Sequence, residues 1–167
     1  MRVANYNVRW GLKRKAVIMA VLLSVFLVMT TTPEAQAATY DAPETTAQID
    51  VTIEDAYYLD LDPDLIENDV VVYVRFSLAD FPYYEFAYII TLQLPSGTEY
   101  SYLVYVYAWI DDVYLCNVFF DHATESGNYT VYVEAVMFIP GVATDSGEYV
   151  FDPPGGSEGG KPTFGVY

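Results

Sequence analysis

The run Tyr84-Glu85-Phe86-Ala87-Tyr88-Ile89-Ile90-Thr91-Leu92-Gln93-Leu94 sets Tyr84, Phe86, Tyr88, Ile90, Leu92 and Leu94 at every second position. A period of two places these side chains on one face of a β-strand, and their apolar bodies make it a core face. Pro95-Ser96-Gly97-Thr98 follows. There Pro presets φ and Gly allows a positive φ, so the chain turns and Glu99 to Trp109 returns as an antiparallel partner. This hairpin decides the class: the chain is all-β and antiparallel.

The same period extends outward on both sides. Upstream, Ile49, Val51 and Ile53 alternate with Asp50, Thr52 and Glu54, and Ala56 to Leu61 continues after a bulge that shifts the alternation. Val70, Val72, Val74, Phe76 and Leu78 share one face of the next strand, with Val71, Tyr73, Arg75 and Ser77 on the other. Downstream, Val113 to Phe120 forms a strand. Asn128 to Ile139 forms a longer one, with Tyr129, Val131, Val133, Ala135 and Met137 inward. Pro140-Gly141 ends it, and Glu148 to Phe151 makes a short last strand, with Asp145 to Tyr149 expected to turn the final hairpin. About seven strands at this spacing predict an antiparallel β-sandwich over residues 48–152. Residues 38–47 read as a flexible lead-in, and residues 153–167 as a Pro/Gly-rich tail. The apolar end of that tail, Thr163 to Tyr167, reads as a frayed end, as a segment packed loosely on the domain, or as a strand for a neighbour's sheet edge.

The front of the chain reads as an address. Arg2, Arg9, Lys13, Arg14 and Lys15 precede the apolar run Ala16 to Met29, and Ala35-Gln36-Ala37 is an A-x-A cleavage signature. This order predicts a signal helix within residues 1–37, cleaved after Ala37 during secretion. Arg14-Lys15-Ala16-Val17 also resembles the site cut by archaeal prepilin peptidases. That resemblance implies the alternative of a pilin-like filament subunit with a retained N-terminal hydrophobic helix.

Charge narrows the partners. Of 7 basic and 23 acidic residues, only Arg75 and Lys161 among the bases follow Ala37, against 22 acids, so the exported chain of 130 residues carries −20. Such a surface repels nucleic acid and anionic lipid, and it favours divalent cations. Membrane contact is expected only through the leader. The single cysteine, Cys116, leaves no internal disulfide framework, and its strand-like surroundings predict a buried apolar role.

One loop concentrates hard oxygen ligands. Asp60-Leu61-Asp62-Pro63-Asp64-Leu65-Ile66-Glu67-Asn68-Asp69 sets carboxylates at alternate positions between two strands. A turning backbone can point such groups at a Ca²⁺ ion, which takes six to eight oxygens. The loop resembles the D-x-D-x-D-G-x-x-[DN] loops of thrombospondin type 3 and related extracellular calcium modules. The resemblance implies metal ligation by Asp60, Asp62 and Asp64, with Asn68 as the later ligand; Asp69 is a further candidate. Leu65 stands where those loops carry glycine.

A second resemblance concerns architecture. Glu125-Ser126-Gly127-Asn128-Tyr129-Thr130-Val131 is similar to the D-x-G-x-Y-x-C pattern of immunoglobulin-like domains, with Val131 in place of cysteine. It implies a disulfide-free immunoglobulin-like sandwich of the kind found in prokaryotic surface proteins, and a tyrosine corner at Tyr129.

Little points to catalysis. His122 is the single histidine and is expected in a solvated loop; no nucleophile elbow, zinc ligand set or phosphate-cradling glycine loop accompanies it. The expected role is a secreted or cell-surface structural or adhesive module. It would be stabilised by calcium and would bind a protein or envelope partner, or itself, through the tail or sheet edges. A small secreted hydrolase is the remaining alternative.

Overall fold

The computed structural model describes residues 2–7 (as backbone), 46–62, 64–152, 156 and 160–167. The strands are β1 (Arg2–Asn7), β2 (Ile49–Leu59), β3 (Asp69–Leu78), β4 (Tyr84–Gln93) and β5 (Glu99–Ala108), followed by β6 (Asp112–Phe120), β7 (Tyr129–Ile139), β8 (Ala143–Phe151) and β9 (Thr163–Val166). They form two antiparallel sheets, one in the order β1-β5-β4-β7-β8 and the other β2-β3-β6-β9. Among the described residues there is no helix.

The period-two reading of the inner faces corresponds to burial. Tyr84, Phe86, Tyr88, Ile90 and Leu92 of β4 share the core with Val70, Val72, Val74 and Phe76 of β3 and with Tyr129, Val131, Val133 and Met137 of β7. Phe76 contacts both Phe86 and Tyr88, with ring centroids 4.9 Å apart in each pair. Each fully buried side chain of this size stabilises the fold by roughly 1.5–3 kcal/mol through lost apolar hydration. One polar bridge crosses this core. Tyr88 on β4 donates its hydroxyl to Asn117 Oδ1 on β6 at 2.6 Å, joining the two sheets. The expected bulge in β2 is present, as a register shift between Ile53 and Asp55 against β3.

Several expectations need correction. The described chain carries eight strands from Ile49 onward, with β1 added, rather than about seven. The final strand starts at Ala143, so Asp145 to Tyr149 lie inside β8 and do not form a turn. The tail is not frayed: β9 pairs antiparallel with β6 of its own chain, and Tyr167 continues the ladder with two 2.9 Å hydrogen bonds to Cys116. Arg2–Asn7, at the start of the expected leader, pairs its backbone with β5. The expected signal helix and the pilin-like helix otherwise fall outside the described residues.

Between β8 and β9, Gly156 and Gly160 lie against the loop that leaves β6. At Gly156 a Cβ would overlap the backbone of Glu125, and at Gly160 it would overlap the Asp121 carboxyl group. Only glycine allows this approach. Gly160 also has φ +66, in the left-handed region.

Candidate metal centre

The acidic loop leads from β2 into β3, beside the exit of β6. Its backbone is organised by its own carboxylates. Asp62 Oδ1 accepts the Asp64 N–H at 3.0 Å, and Asp64 Oδ1 accepts the Ile66 N–H at 2.8 Å. Each is an aspartate bonding the backbone two residues on, the usual reason Asp favours turns. Leu65 then adopts φ 66, so the glycine position of the calcium-loop resemblance does take the left-handed conformation, with a leucine in it.

Asp69 is the anchor. It is fully buried, and its Oδ2 accepts the N–H groups of Leu61 (2.7 Å) and Asp62 (3.3 Å) while Oδ1 accepts that of Asp121 (2.8 Å). A single carboxylate thus joins both ends of the loop to the β6 exit. Asn68 reinforces the seam, its carbonyl accepting the N–H groups of His122 (3.0 Å) and Ala123 (2.8 Å). The side-chain Nδ2 of Asn68 lies 3.4 Å from Asp121 Oδ1.

Two groups of carboxylates result. Oxygens of Asp60, Asp62 and Asp64 lie within 4.8 Å of one another, and so do oxygens of Asp62, Asp69 and Asp121. The structure therefore brings together four of the five predicted residues and adds Asp121. The fifth, Asn68, faces Asp121. Sequence reading could not find Asp121, which lies in the β6–β7 loop, 52 positions from Asp69. Its sequence neighbours show no ligand spacing, and only the β3–β6 pairing places it here.

The electrostatics of this corner are unbalanced. Burial, reinforced by the charge on Asp62, raises the Asp121 carboxyl above the ordinary aspartate range. Asp60 is raised in the same sense, by desolvation and then by the charges of Asp64 and Asp62. Among the described residues no Lys or Arg pairs with these groups; Arg75 is committed to Asp112 at 2.7 Å. Asp60 Oδ1 is shielded from solvent without a hydrogen-bond partner. This donor set suits a hard, oxygen-seeking divalent cation: it is all oxygen, excess negative, and has an orphaned carboxylate oxygen at its edge.

His122 requires a correction. It is fully buried rather than solvated, packed edge-on by Tyr100, Tyr102 and Phe119. Nδ1 lies 2.6 Å from the Phe120 carbonyl, which can only accept, so Nδ1 carries the proton. Nε2 then accepts the Tyr102 hydroxyl at 2.9 Å. Burial pushes the imidazole down to about 4, so it is neutral. Cys116 is also misassigned by the sequence reading. It is half-buried on the outer face of the β2-β3-β6-β9 sheet, not in the core. There it lines a shallow groove of about 340 Å³ with Tyr57, Leu61, Tyr73, Val118 and Tyr167.

At the corner where β7 begins, the Tyr129 hydroxyl donates to the Glu125 carbonyl (2.7 Å) and accepts the Glu125 N–H (2.8 Å). The Glu125 carboxylate in turn holds the β4–β5 turn through the N–H (2.8 Å) and hydroxyl (2.7 Å) of Ser96. Comparison of the chain with protein-family models, with curated proteins and with solved structures finds no match.

Proposed function

We propose that this chain is a secreted or cell-surface immunoglobulin-like β-sandwich that serves as a structural or adhesive module, is stabilised by calcium, and performs no catalysis. The observation that carries the reading is the pair of overlapping carboxylate groups that share Asp62, unpaired with any described cation, at the junction of the β2–β3 loop and the β6 exit. Asp60, Asp62, Asp64 and Asp121 would hold the ion, with Asp69 fixing the loop around it. An ion bound there offsets the mutual repulsion of the carboxylates and locks the strand connection.

Strand order supports the immunoglobulin-like part. The order β2-β3-β6 followed by β9 matches the A-B-E-D sheet of such domains, with β9 filling the D place from the C-terminus. The order β5-β4-β7-β8 matches C′-C-F-G, and Tyr129 makes its corner bonds at the start of the F-equivalent strand. The groove around Tyr73 and Cys116 supports an adhesive role, because apolar aromatic faces left open on a secreted domain are contact surfaces. His122, with both nitrogens engaged inside the fold, supports a reading without acid–base chemistry.

The test is thermal melting of the exported protein in calcium and in chelator. A clear rise in Tm with calcium that magnesium fails to reproduce supports the reading. Identical melting curves in calcium and chelator would falsify the calcium part.

A further inference from the structure

The outer edges of the two sheets are β1, β8, β2 and β9, and the last three are guarded. β2 carries Asp50, Glu54 and Asp55, and β8 carries Asp145 and Glu148. These two edges also meet, the Val51 N–H of β2 donating to Asp145 Oδ2 of β8 at 2.7 Å. The third edge, β9, is only 4 residues long. Short strands and edge charges are the ordinary means by which a sheet avoids pairing with another molecule. β5 lacks them. It spans 10 residues, and no charge, proline or glycine occurs between Glu99 and Asp111. Among the described residues its outer side is paired by β1, in a register running from Arg2 against Tyr107 to Asn7 against Tyr102.

We propose that the β5 edge is a self-pairing surface, masked by β1 and exposed when the leader is removed, so that two exported copies join β5 to β5 antiparallel across a two-fold axis. The proposal rests on the secretory reading above, since cleavage after Ala37 takes Arg2–Asn7 away with the leader. The occupant is a second copy for two reasons. An antiparallel strand paired with itself is self-complementary, as a two-fold interface requires. The strip from Tyr100 to Ile110 also brings no like charges face to face, although the exported chain as a whole carries −20. On this side Phe164 of β9 stacks on Tyr102 of β5 with ring centroids 4.3 Å apart, a contact that does not involve β1. The product is one continuous sheet through both molecules.

The full-length chain would be expressed in a secreting host, and the exported product analysed by intact mass and by light scattering after size exclusion over a concentration series. The expected result is a chain starting at Ala38 with twice the monomer mass. Leu103→Asp, on the half-buried outer side of β5, should halve that mass without changing the far-UV circular dichroism. An excess of a synthetic peptide of residues 1–8 should convert the wild-type dimer to a one-to-one complex, and this arm does not depend on the variant folding. A chain starting at Ala38 that stays monomeric overturns the proposal and leaves the secretory reading intact. A dimer that neither the variant nor the peptide disturbs overturns it equally. An exported chain that keeps Arg2–Asn7 overturns both.

Discussion

The Asp121 backbone N–H donates to Asp69 Oδ1 at 2.8 Å, and this bond ties the exit of β6 to the entry of β3. Asp121 takes φ 59 there, and its carboxylate comes within 4.8 Å of those of Asp62 and Asp69. Structural and ligand roles are therefore divided between neighbouring aspartates. Asp69→Asn removes a charged acceptor shared by three N–H groups and should cost about 1–3 kcal/mol, the range for buried groups left unsatisfied. That loss should already be present in chelator. Asp64→Asn keeps its turn bond to Ile66 and should be near neutral in chelator while shrinking the calcium-induced rise in Tm. Equal behaviour of the two variants would refute the division.

Leu65 is 88% exposed with φ 66, so its side chain gains no burial to offset a conformation that suits glycine. Leu65→Gly should raise stability by about 1 kcal/mol, the left-handed penalty reduced by the greater freedom of glycine when unfolded. Urea denaturation gives the value directly. A loss of stability would show that Leu65 makes contacts this geometry does not provide.

His122 makes stability depend on pH. Its folded value of about 4 lies below the ordinary 6.5, so between these limits the unfolded chain binds more protons. Stability contributed by the neutral imidazole is complete above 6.5 and declines as pH falls toward 4, by up to about 3 kcal/mol. Asp121 and Asp60 act in the opposite sense. Their carboxyls are raised, so their repulsion is relieved as pH falls through their folded values. Comparing wild type with His122→Leu in chelator isolates the histidine. The variant should be weaker at pH 7 but lose less on acidification. Parallel pH profiles would place the sensitivity elsewhere.

Tyr88→Phe leaves Asn117 Oδ1 without its hydroxyl partner in the centre of the core. The expected cost is about 1–3 kcal/mol, and Asn117→Leu on that background should recover most of it, since removing both partners is far cheaper than removing one. A double variant as unstable as the sum of the two singles would show that the bridge does not couple the residues.

Gly160→Ala should displace the tail, because the added methyl would overlap the Asp121 carboxyl. Native-state hydrogen exchange reads this at the Cys116 amide, which donates to the Tyr167 carbonyl at 2.9 Å. Faster exchange at Cys116, with little change at Val131 in the core, is the expected pattern. Unchanged protection at Cys116 would mean the link can shift without releasing β9.

The all-β class, the inner faces of β3, β4 and β7, the bulge in β2 and the loop where acid accumulates are all legible in the order of residues. Each is a local signal: side chains on a strand alternate strictly, so period-two apolar residues such as Tyr84 to Leu92 identify a buried face wherever the strand later pairs. Which distant segments meet depends instead on how the strands pack. Asp121 joins Asp62 because β3 and β6 are neighbours, and His122 is buried because Tyr102 and Phe119 close around it. Cys116 faces outward because its inward neighbours Leu115 and Asn117 take the core positions. Thr163 to Val166 became a strand because β6 offered an open edge, with Gly156 and Gly160 approaching Glu125 and Asp121 as only glycine can. Edge pairing and loop convergence depend on backbone groups and on long-range packing, and neither leaves a periodic trace in the residues concerned.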